Sequence, residues 1–81
     1  MNYRLEKKPQ QFLDKQNDNT ARHIISKILD IPNGDIKKLT GRDNYRLRIG
    51  KVRVFYYIEN DIVIVTKIEN RGDAYKKNYI V

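Results

Sequence analysis

Three arginines near the middle of the chain are the residues most suited to chemistry. Arg46, Arg48 and Arg53 alternate with apolar residues, a pattern that predicts two half-buried strands with the arginines on the outer face. Gly50-Lys51 separates the strands and suits a type II′ hairpin turn. That pairing would set Arg48 beside Arg53 and Arg46 beside Phe55. Because like charges at opposed positions destabilise a sheet, we interpret this basic face as an anion-binding surface.

The distribution of charge supports a polyanionic partner. The formal net charge is +7; residues 1–35 hold six Lys/Arg and five Asp/Glu (net +1), and residues 36–81 hold eleven and five (net +6). The positive excess therefore lies with the predicted sheet, which favours nucleic acid or an acidic protein as a partner. The other interpretation is that this is a solvated, generally basic outer face with no specific ligand. The alternation of apolar and basic residues, taken by itself, favours that interpretation.

Length and composition exclude several classes of function. The 81 residues predict one domain spanning 1–81, and the lack of Cys excludes a disulfide framework or a cysteine metal site. No apolar run approaches the roughly 20 residues of a membrane span, and no signal-peptide core is present. We therefore expect a soluble, cytoplasmic protein without membrane association. His23, the single histidine, is expected to be partly buried on a helix, so no metal site and no cofactor are predicted.

The order of elements predicts an α+β fold. An N-terminal short strand and an antiparallel helix hairpin are expected to pack on a small, twisted, mainly antiparallel sheet. Apolar spacing of i, i+3, i+4, i+7 makes the second helix the clearest element, with Asn19 as its cap. A polar, basic loop is expected over 35–44. The predicted helices are Pro9–Gln16 and Thr20–Asp30, and the predicted strands are Tyr3–Leu5, Tyr45–Ile49, Val52–Ile58 and Ile62–Ile68.

The chain resembles the RelE/ParE superfamily of small bacterial and archaeal toxins, which belong to type II toxin–antitoxin systems. The order of a strand, a helix hairpin and antiparallel strands, closing in Arg-x-x-x-Tyr, carries the resemblance over nearly the whole length. No single motif is specific for the superfamily, but the chain length, the order of the elements and the spacing of the motifs are specific in combination. The segments that match are Lys38-Leu39-Thr40-Gly41, Tyr45 through Val54, and Ile68 through Tyr75.

Similarity to the RelE branch implies a ribosome-dependent mRNA endonuclease that cuts codons in the ribosomal A site. The 2′-hydroxyl of the RNA is the nucleophile in that family, so no metal is needed, and the products carry a 2′,3′-cyclic phosphate and a 5′-hydroxyl. The resemblance also implies contacts with ribosomal RNA. It further implies an antitoxin encoded nearby, and a toxin–antitoxin complex that binds operator DNA through the antitoxin.

The resemblance assigns catalytic roles to five residues. Preorganised guanidinium groups would stabilise the negative charge that gathers on the non-bridging phosphate oxygens in the transition state. Arginine suits this role because its planar fork matches phosphate and its charge does not titrate away. Tyr75 would stack on a base or orient the 2′-hydroxyl. The expected catalytic residues are Arg46, Arg48, Arg53, Arg71 and Tyr75.

Further residues are expected to bind RNA without taking part in the reaction. Lys37, Lys38 and Arg42, in the predicted loop, are expected to contact the phosphate backbone together with Lys51. Phe55 is expected to stack on a base, with Tyr57 as a possible companion.

Two positions depart from the RelE pattern. Glu69 stands where the better-known RelE enzymes have a further arginine, and Asn70 stands where other family members have histidine. These departures leave two other functions open. One is a ParE-like toxin that poisons DNA gyrase, and the other is a catalytically weak partner of an antitoxin in a repressor complex.

Overall fold

The computed structural model describes residues 2–40 and 44–70, which form two helices and a mixed five-stranded sheet. The strand order is β1-β5-β4-β3-β2, with β1 parallel to β5 and the other neighbours antiparallel. The α+β prediction is confirmed. The elements are β1 (Asn2–Leu5), α1 (Lys7–Asp14), α2 (Asp18–Leu29), β2 (Asp35–Lys38), β3 (Asn44–Ile49), β4 (Val52–Glu59) and β5 (Ile62–Asn70).

The β3–β4 hairpin has the predicted register. Arg48 is the Cα partner of Arg53, and Arg46 is the partner of Phe55. Gly50 has a φ of 57° and Lys51 does not have a positive φ, which fits a type II′ turn. The sequence pattern was sufficient here because a two-residue turn leaves one register for the strands that it joins.

The 35–44 segment contains a strand that the sequence analysis placed in a loop. β2 lies at the edge of the sheet and pairs antiparallel with β3, with Ile36 opposite Leu47. Its four residues include only one apolar side chain, because an edge strand with a solvated face needs little burial. Lys37 and Lys38 therefore lie on a strand rather than in a loop.

Both helices begin two residues before their predicted starts. Pro9 lies in the first turn of α1, as expected, but at its third residue. The cap of α2 is Asn17, whose side-chain oxygen accepts a hydrogen bond from the Thr20 backbone N–H at 2.8 Å. Asn19 lies inside the helix, so its predicted role as the cap is wrong. His23 is exposed rather than partly buried.

The cap assignment predicts different costs for two nearby asparagines. Asn17→Ala removes an acceptor for an otherwise unpaired helix N–H and is expected to destabilise the fold by about 0.5–2 kcal/mol. Asn19→Ala, on the exposed first turn, should change stability by less than about 0.5 kcal/mol. Urea unfolding of the two variants measures the difference, and an equal loss would contradict this assignment.

The core lies between one face of the sheet and the two helices. The most fully buried side chains come from α2 and from the three inner strands. β5 runs between β1 and β4, as its apolar composition on both sides predicted. Fully buried core residues include Ile24, Ile28, Leu47, Val54, Val63 and Val65.

A β-bulge on β5 sets which side chains reach the outer face. Phe55 pairs with Lys67, whereas the next residue, Tyr56, pairs with Val65. Thr66 is therefore the extra residue on β5. Tyr56 stays in the core and Phe55 stays outside, where the Lys67 Nζ lies 5.7 Å from its ring centroid.

Tyr56 makes the stability of the fold sensitive to alkaline pH. Burial, together with the nearby Tyr45, raises the pKa of Tyr56 to about 12 from an ordinary value of 10.0. The two rings are stacked with centroids 5.3 Å apart. The Tyr56 hydroxyl loses its proton at lower pH in the unfolded chain than in the folded chain. The stabilisation that the protonated Tyr56 contributes is therefore complete below pH 10 and is lost as pH rises toward 12.

Tyr56→Phe is expected to remove this component of the pH dependence. The free energy of unfolding of the wild type should fall by on the order of 2 kcal/mol more than that of the variant over this pH range. Urea titrations at several alkaline pH values measure the difference between the two proteins. The same decline in both would contradict the assignment.

Neither helix in the described part of the chain has the length and apolar composition needed to cross a membrane.

Candidate functional site

The structure brings three of the expected catalytic arginines together on the outer face of the sheet. Arg46 and Arg48 alternate on β3 with the buried Leu47 and Ile49, and Arg53 lies between buried residues of β4. Side chains of opposed residues point to the same face, so the observed register places all three on the face away from the helices. We call this surface, with Arg46, Arg48 and Arg53 at its centre, the basic face.

Arg48 has a carboxylate partner on the edge strand. Its Nε donates to Asp35 Oδ2 at 2.9 Å, and its Nη2 lies 2.8 Å from the same oxygen. Both side chains are about half exposed, at 52% and 55%. The pair therefore contributes little to stability, but it holds the guanidinium in one position. Other guanidinium N–H groups remain for a second anion, because the group has five donors.

Arg46 is half-buried in the middle of the basic face. Its Cα partners are Lys37 on β2 and Phe55 on β4. Its Nε is buried and makes no hydrogen bond within residues 2–40 and 44–70. A buried, unpaired donor costs about 1–3 kcal/mol, so an anion that reorients and binds this guanidinium would recover part of that cost.

Arg53 lies beside one like charge and one opposite charge. Its Cα partners are Arg48 on β3 and Glu69 on β5. Glu69 Oε2 pairs with Lys67 Nζ at 3.4 Å, and no carboxylate of the described segments forms an ion pair with Arg53. Its charge is thus available to a phosphate, although Glu69 weakens the positive potential around it.

The expected RNA contacts divide between the two faces of β2. Lys37 is opposite Arg46 and belongs to the basic face, whereas Lys38 is opposite Tyr45 and points to the other face. Lys51 lies in the exposed turn beyond the Arg48–Arg53 pair. Phe55 lies next to Arg46, as predicted. The expected contacts of Arg42, Arg71 and Tyr75 lie outside the described residues.

Sequence reasoning missed two features of this face. Asp35 was assigned to a loop, and its contact with Arg48 depends on the pairing of β2 with β3. An open groove of about 890 Å³ was also missed; its lining includes Thr66, the extra residue of the β5 bulge. The groove is lined by Leu39, Asn44, Tyr45, Phe55, Tyr56, Tyr57, Ile58, Glu59, Thr66 and Lys67.

No group of three or more His, Asp or Glu residues able to hold a metal ion occurs within residues 2–40 and 44–70.

Sequence comparison connects about half of the chain with a named toxin. The chain is 51% identical over 45 residues to a Methanocaldococcus jannaschii protein named "Putative toxin RelE1". The match covers 52% of this chain and 50% of that protein, so the chain spans about half the length of the curated relative it matches. No protein-family model matches the sequence.

Solved structures extend the similarity to most of the chain. A chain of an archaeal RelE–RelB complex from Pyrococcus horikoshii matches with a TM-score of 0.72 and 24% identity, over 88% of this chain and 94% of that one. A RelB–RelE antitoxin–toxin complex from Methanococcus jannaschii matches with a TM-score of 0.67 and 21% identity, over 90% and 95%. At these identities the structural likeness shows a shared fold. The sequence match over about half of the chain is likewise to a protein named as a RelE toxin.

Proposed function

We propose that this protein is the toxin of a toxin–antitoxin pair and that it cleaves mRNA on the ribosome. The observation that carries the proposal is the convergence of Arg46, Arg48 and Arg53 on one face of the sheet. A surface with adjacent like charges is costly unless an anion binds there, and arginine is the residue best matched to phosphate. The sequence and fold similarity to RelE toxins agrees with this function.

The chemistry is attack of the RNA 2′-hydroxyl on the adjacent phosphorus. Charge grows on the non-bridging oxygens in the transition state, and fixed guanidinium groups stabilise it there without reorganising. Arg46 and Arg53 supply charge without a carboxylate pair in the described segments, and Arg48 is held in place by Asp35. Arg71 and Tyr75 complete the proposed set. The new bond from the 2′-oxygen to phosphorus replaces the bond from phosphorus to the 5′-oxygen. The 2′-hydroxyl loses its proton to solvent and the leaving 5′-oxygen takes one up, which gives a 2′,3′-cyclic phosphate and a 5′-hydroxyl. We place this reaction in the cytoplasm.

The proposed protein partner is an antitoxin. The neighbouring folds were solved as complexes of RelE with RelB. We infer that an acidic or amphipathic segment of such a partner lies on this chain and reduces access to the basic face. Its binding should weaken as salt rises, because exposed charges are screened within about 10 Å at 0.1 M ionic strength.

Primer extension on mRNA during translation tests the proposed cleavage. Cuts inside A-site codons that disappear with Arg48→Ala or Arg53→Ala would support the proposal. A gyrase supercoiling assay with the same protein provides the second readout. Absence of cuts with inhibited supercoiling would overturn the proposal in favour of a ParE-like toxin.

A weakly catalytic antitoxin partner is the second candidate. The favouring observation is the pair of carboxylates on the basic face, because Asp35 binds Arg48 and Glu69 is opposite Arg53. Asp35 competes with a phosphate for Arg48, and Glu69 lowers the positive potential around Arg53. If this competition is strong, the protein would bind its antitoxin without cutting RNA.

Removing the Asp35 charge measures that competition. Asp35→Asn is expected to tighten binding of single-stranded RNA by about 1.4- to 5-fold, because an exposed ion pair is worth about 0.2–1 kcal/mol. Asp61→Asn makes the same charge change in the exposed β4–β5 turn and should have a smaller effect. Fluorescence anisotropy measures both affinities. Equal changes in the two variants would show that Asp35 does not compete with RNA.

A further inference from the structure

The groove beside the basic face contains aromatic residues that take no part in the proposed phosphate contacts. Phe55 and Tyr57 lie two residues apart on β4 and therefore point to the same outer face. Asn44 on β3 is the Cα partner of Tyr57, and Lys67 on β5 is the partner of Phe55. The groove lining thus combines aromatic residues with polar and charged ones.

Two cations flank the same aromatic ring. Phe55 lies between Arg46 on one neighbouring strand and Lys67 on the other. The Lys67 Nζ is 5.7 Å from the ring centroid, and this side chain is 63% exposed. Its ion pair with Glu69, at 3.4 Å, is exposed and therefore weak, so this long lysine can move away from the ring toward a phosphate at little cost. That movement would open the ring to another planar group.

Size and polarity fit a nucleotide. The groove volume of about 890 Å³ lies within the roughly 300–1,000 Å³ range typical of small-molecule sites. The Asn44 amide has both a donor and an acceptor, which is the chemistry that reads a base edge. Because neighbouring pairs along a strand are spaced by about 3.3 Å per residue, the Tyr57–Asn44 pair lies roughly 7 Å from the Phe55–Arg46 pair.

We propose that this groove binds one unpaired RNA base next to the phosphate held by the basic face, with Phe55 and Tyr57 as stacking surfaces. The inference rests on the proposed function, since it gives that site a base contact as well as phosphate contacts. Continuity with the basic face selects RNA as the occupant: the groove lining holds one cation, Lys67, and one anion, Glu59, but Phe55 is the direct cross-strand partner of Arg46, so a phosphate at Arg46 places its base beside this ring. The Asn44 amide would contact the base edge, and Lys67 would contact the flanking phosphate.

Binding of short single-stranded RNAs, each lacking one base at a different position, tests this site. With the full-length wild-type chain, loss of the base at one position is expected to weaken binding by about 5- to 150-fold, since stacking on an aromatic residue is worth about 1–3 kcal/mol per base. In Phe55→Leu and Tyr57→Leu the same loss should be less than about twofold. Leucine retains apolar burial at these half-buried positions while removing the ring.

Two controls separate a lost ring from a damaged fold or a lost charge. Phe12→Leu changes a half-buried aromatic residue of α1, outside the groove, and should keep the full penalty for the missing base. Lys67→Gln should weaken intact and base-lacking RNA alike, because it removes a phosphate contact rather than a stacking surface. Circular dichroism confirms that each variant is folded.

The outcomes distinguish this proposal from the proposed cleavage. Equal affinity of the wild type for intact RNA and for every base-lacking RNA, or no RNA binding at all, would overturn the base site. Cuts in A-site codons together with that equality would leave the nuclease function intact. A base-dependent affinity that requires Phe55 and Tyr57, without any cuts, would support the base site and overturn the nuclease function.

Discussion

Arg53→Ala is expected to slow cleavage of ribosome-bound mRNA by about 10²- to 10³-fold, the usual effect of removing one preorganised donor from a transition-state oxyanion. Arg53 is half-buried, adjoins Arg48, and has no ion pair within the described segments. Its charge is therefore available where negative charge develops. The first-order cleavage rate at saturating toxin measures this effect without a contribution from weaker ribosome binding.

Two variants make the Arg53 result specific. Arg53→Lys keeps the charge but loses the planar fork, and should fall between alanine and wild type. Arg4→Ala removes an exposed arginine of β1, which β5 separates from β4, and should slow cleavage by less than about tenfold. Equal slowing by Arg4→Ala and Arg53→Ala would mean that Arg53 contributes only non-specific positive charge and has no specific role in the transition state.

Ile28→Ala is expected to destabilise the fold by about 2–5 kcal/mol, because it leaves a cavity in a closely packed core. Ile28 is fully buried at 0% exposure, on the face of α2 that packs against the sheet. A chain of this size has a total stability of only about 4–12 kcal/mol, so the loss is a large part of it. Urea unfolding followed by circular dichroism gives the difference.

Leu29→Ala is the matched control, because Leu29 is the next residue of α2 and is 47% exposed. It should cost less than about 1 kcal/mol. Comparable losses in the two variants would mean that α2 packs with a different face toward the sheet from the one described.

The sequence pattern predicted the β3–β4 hairpin because two local rules agreed. Alternation defined which face each residue occupies, and the two-residue turn at Gly50 defined the register. The position of Arg48 beside Arg53 followed from those rules alone. Phe55 was placed on the basic face for the same reason.

Edge strand β2 could not be predicted from its own residues. Asp35, Lys37 and Lys38 are polar, so the segment has neither strict alternation nor an apolar run. It is a strand because β3 offers an unpaired edge, which is a tertiary cause. That pairing brings Asp35 into contact with Arg48 and places Lys37 and Lys38 on opposite faces of the sheet.

Local sequence patterns allowed two caps for α2 and did not predict the groove. Asn17 and Asn19 are both good caps, and only the backbone geometry selects the first. Thr66 and Lys67, which line the groove, lie where the register of β5 against β4 shifts. Hydrophobic patterning does not determine such a shift, so Lys67 was not recognised as a neighbour of Phe55.

The salt dependence of RNA binding is the most direct test of whether the basic face binds phosphate. For single-stranded RNA, each phosphate contact contributes about 0.7 to the slope of log affinity against log salt. Simultaneous replacement of Arg46, Arg48 and Arg53 by alanine should therefore lower the slope by about 2. A control with Lys8, Arg22 and Lys27 replaced removes the same charge from exposed positions of the helices and should leave the slope nearly unchanged. An unchanged slope in the first variant, or the same drop in both, would contradict a phosphate site on this face.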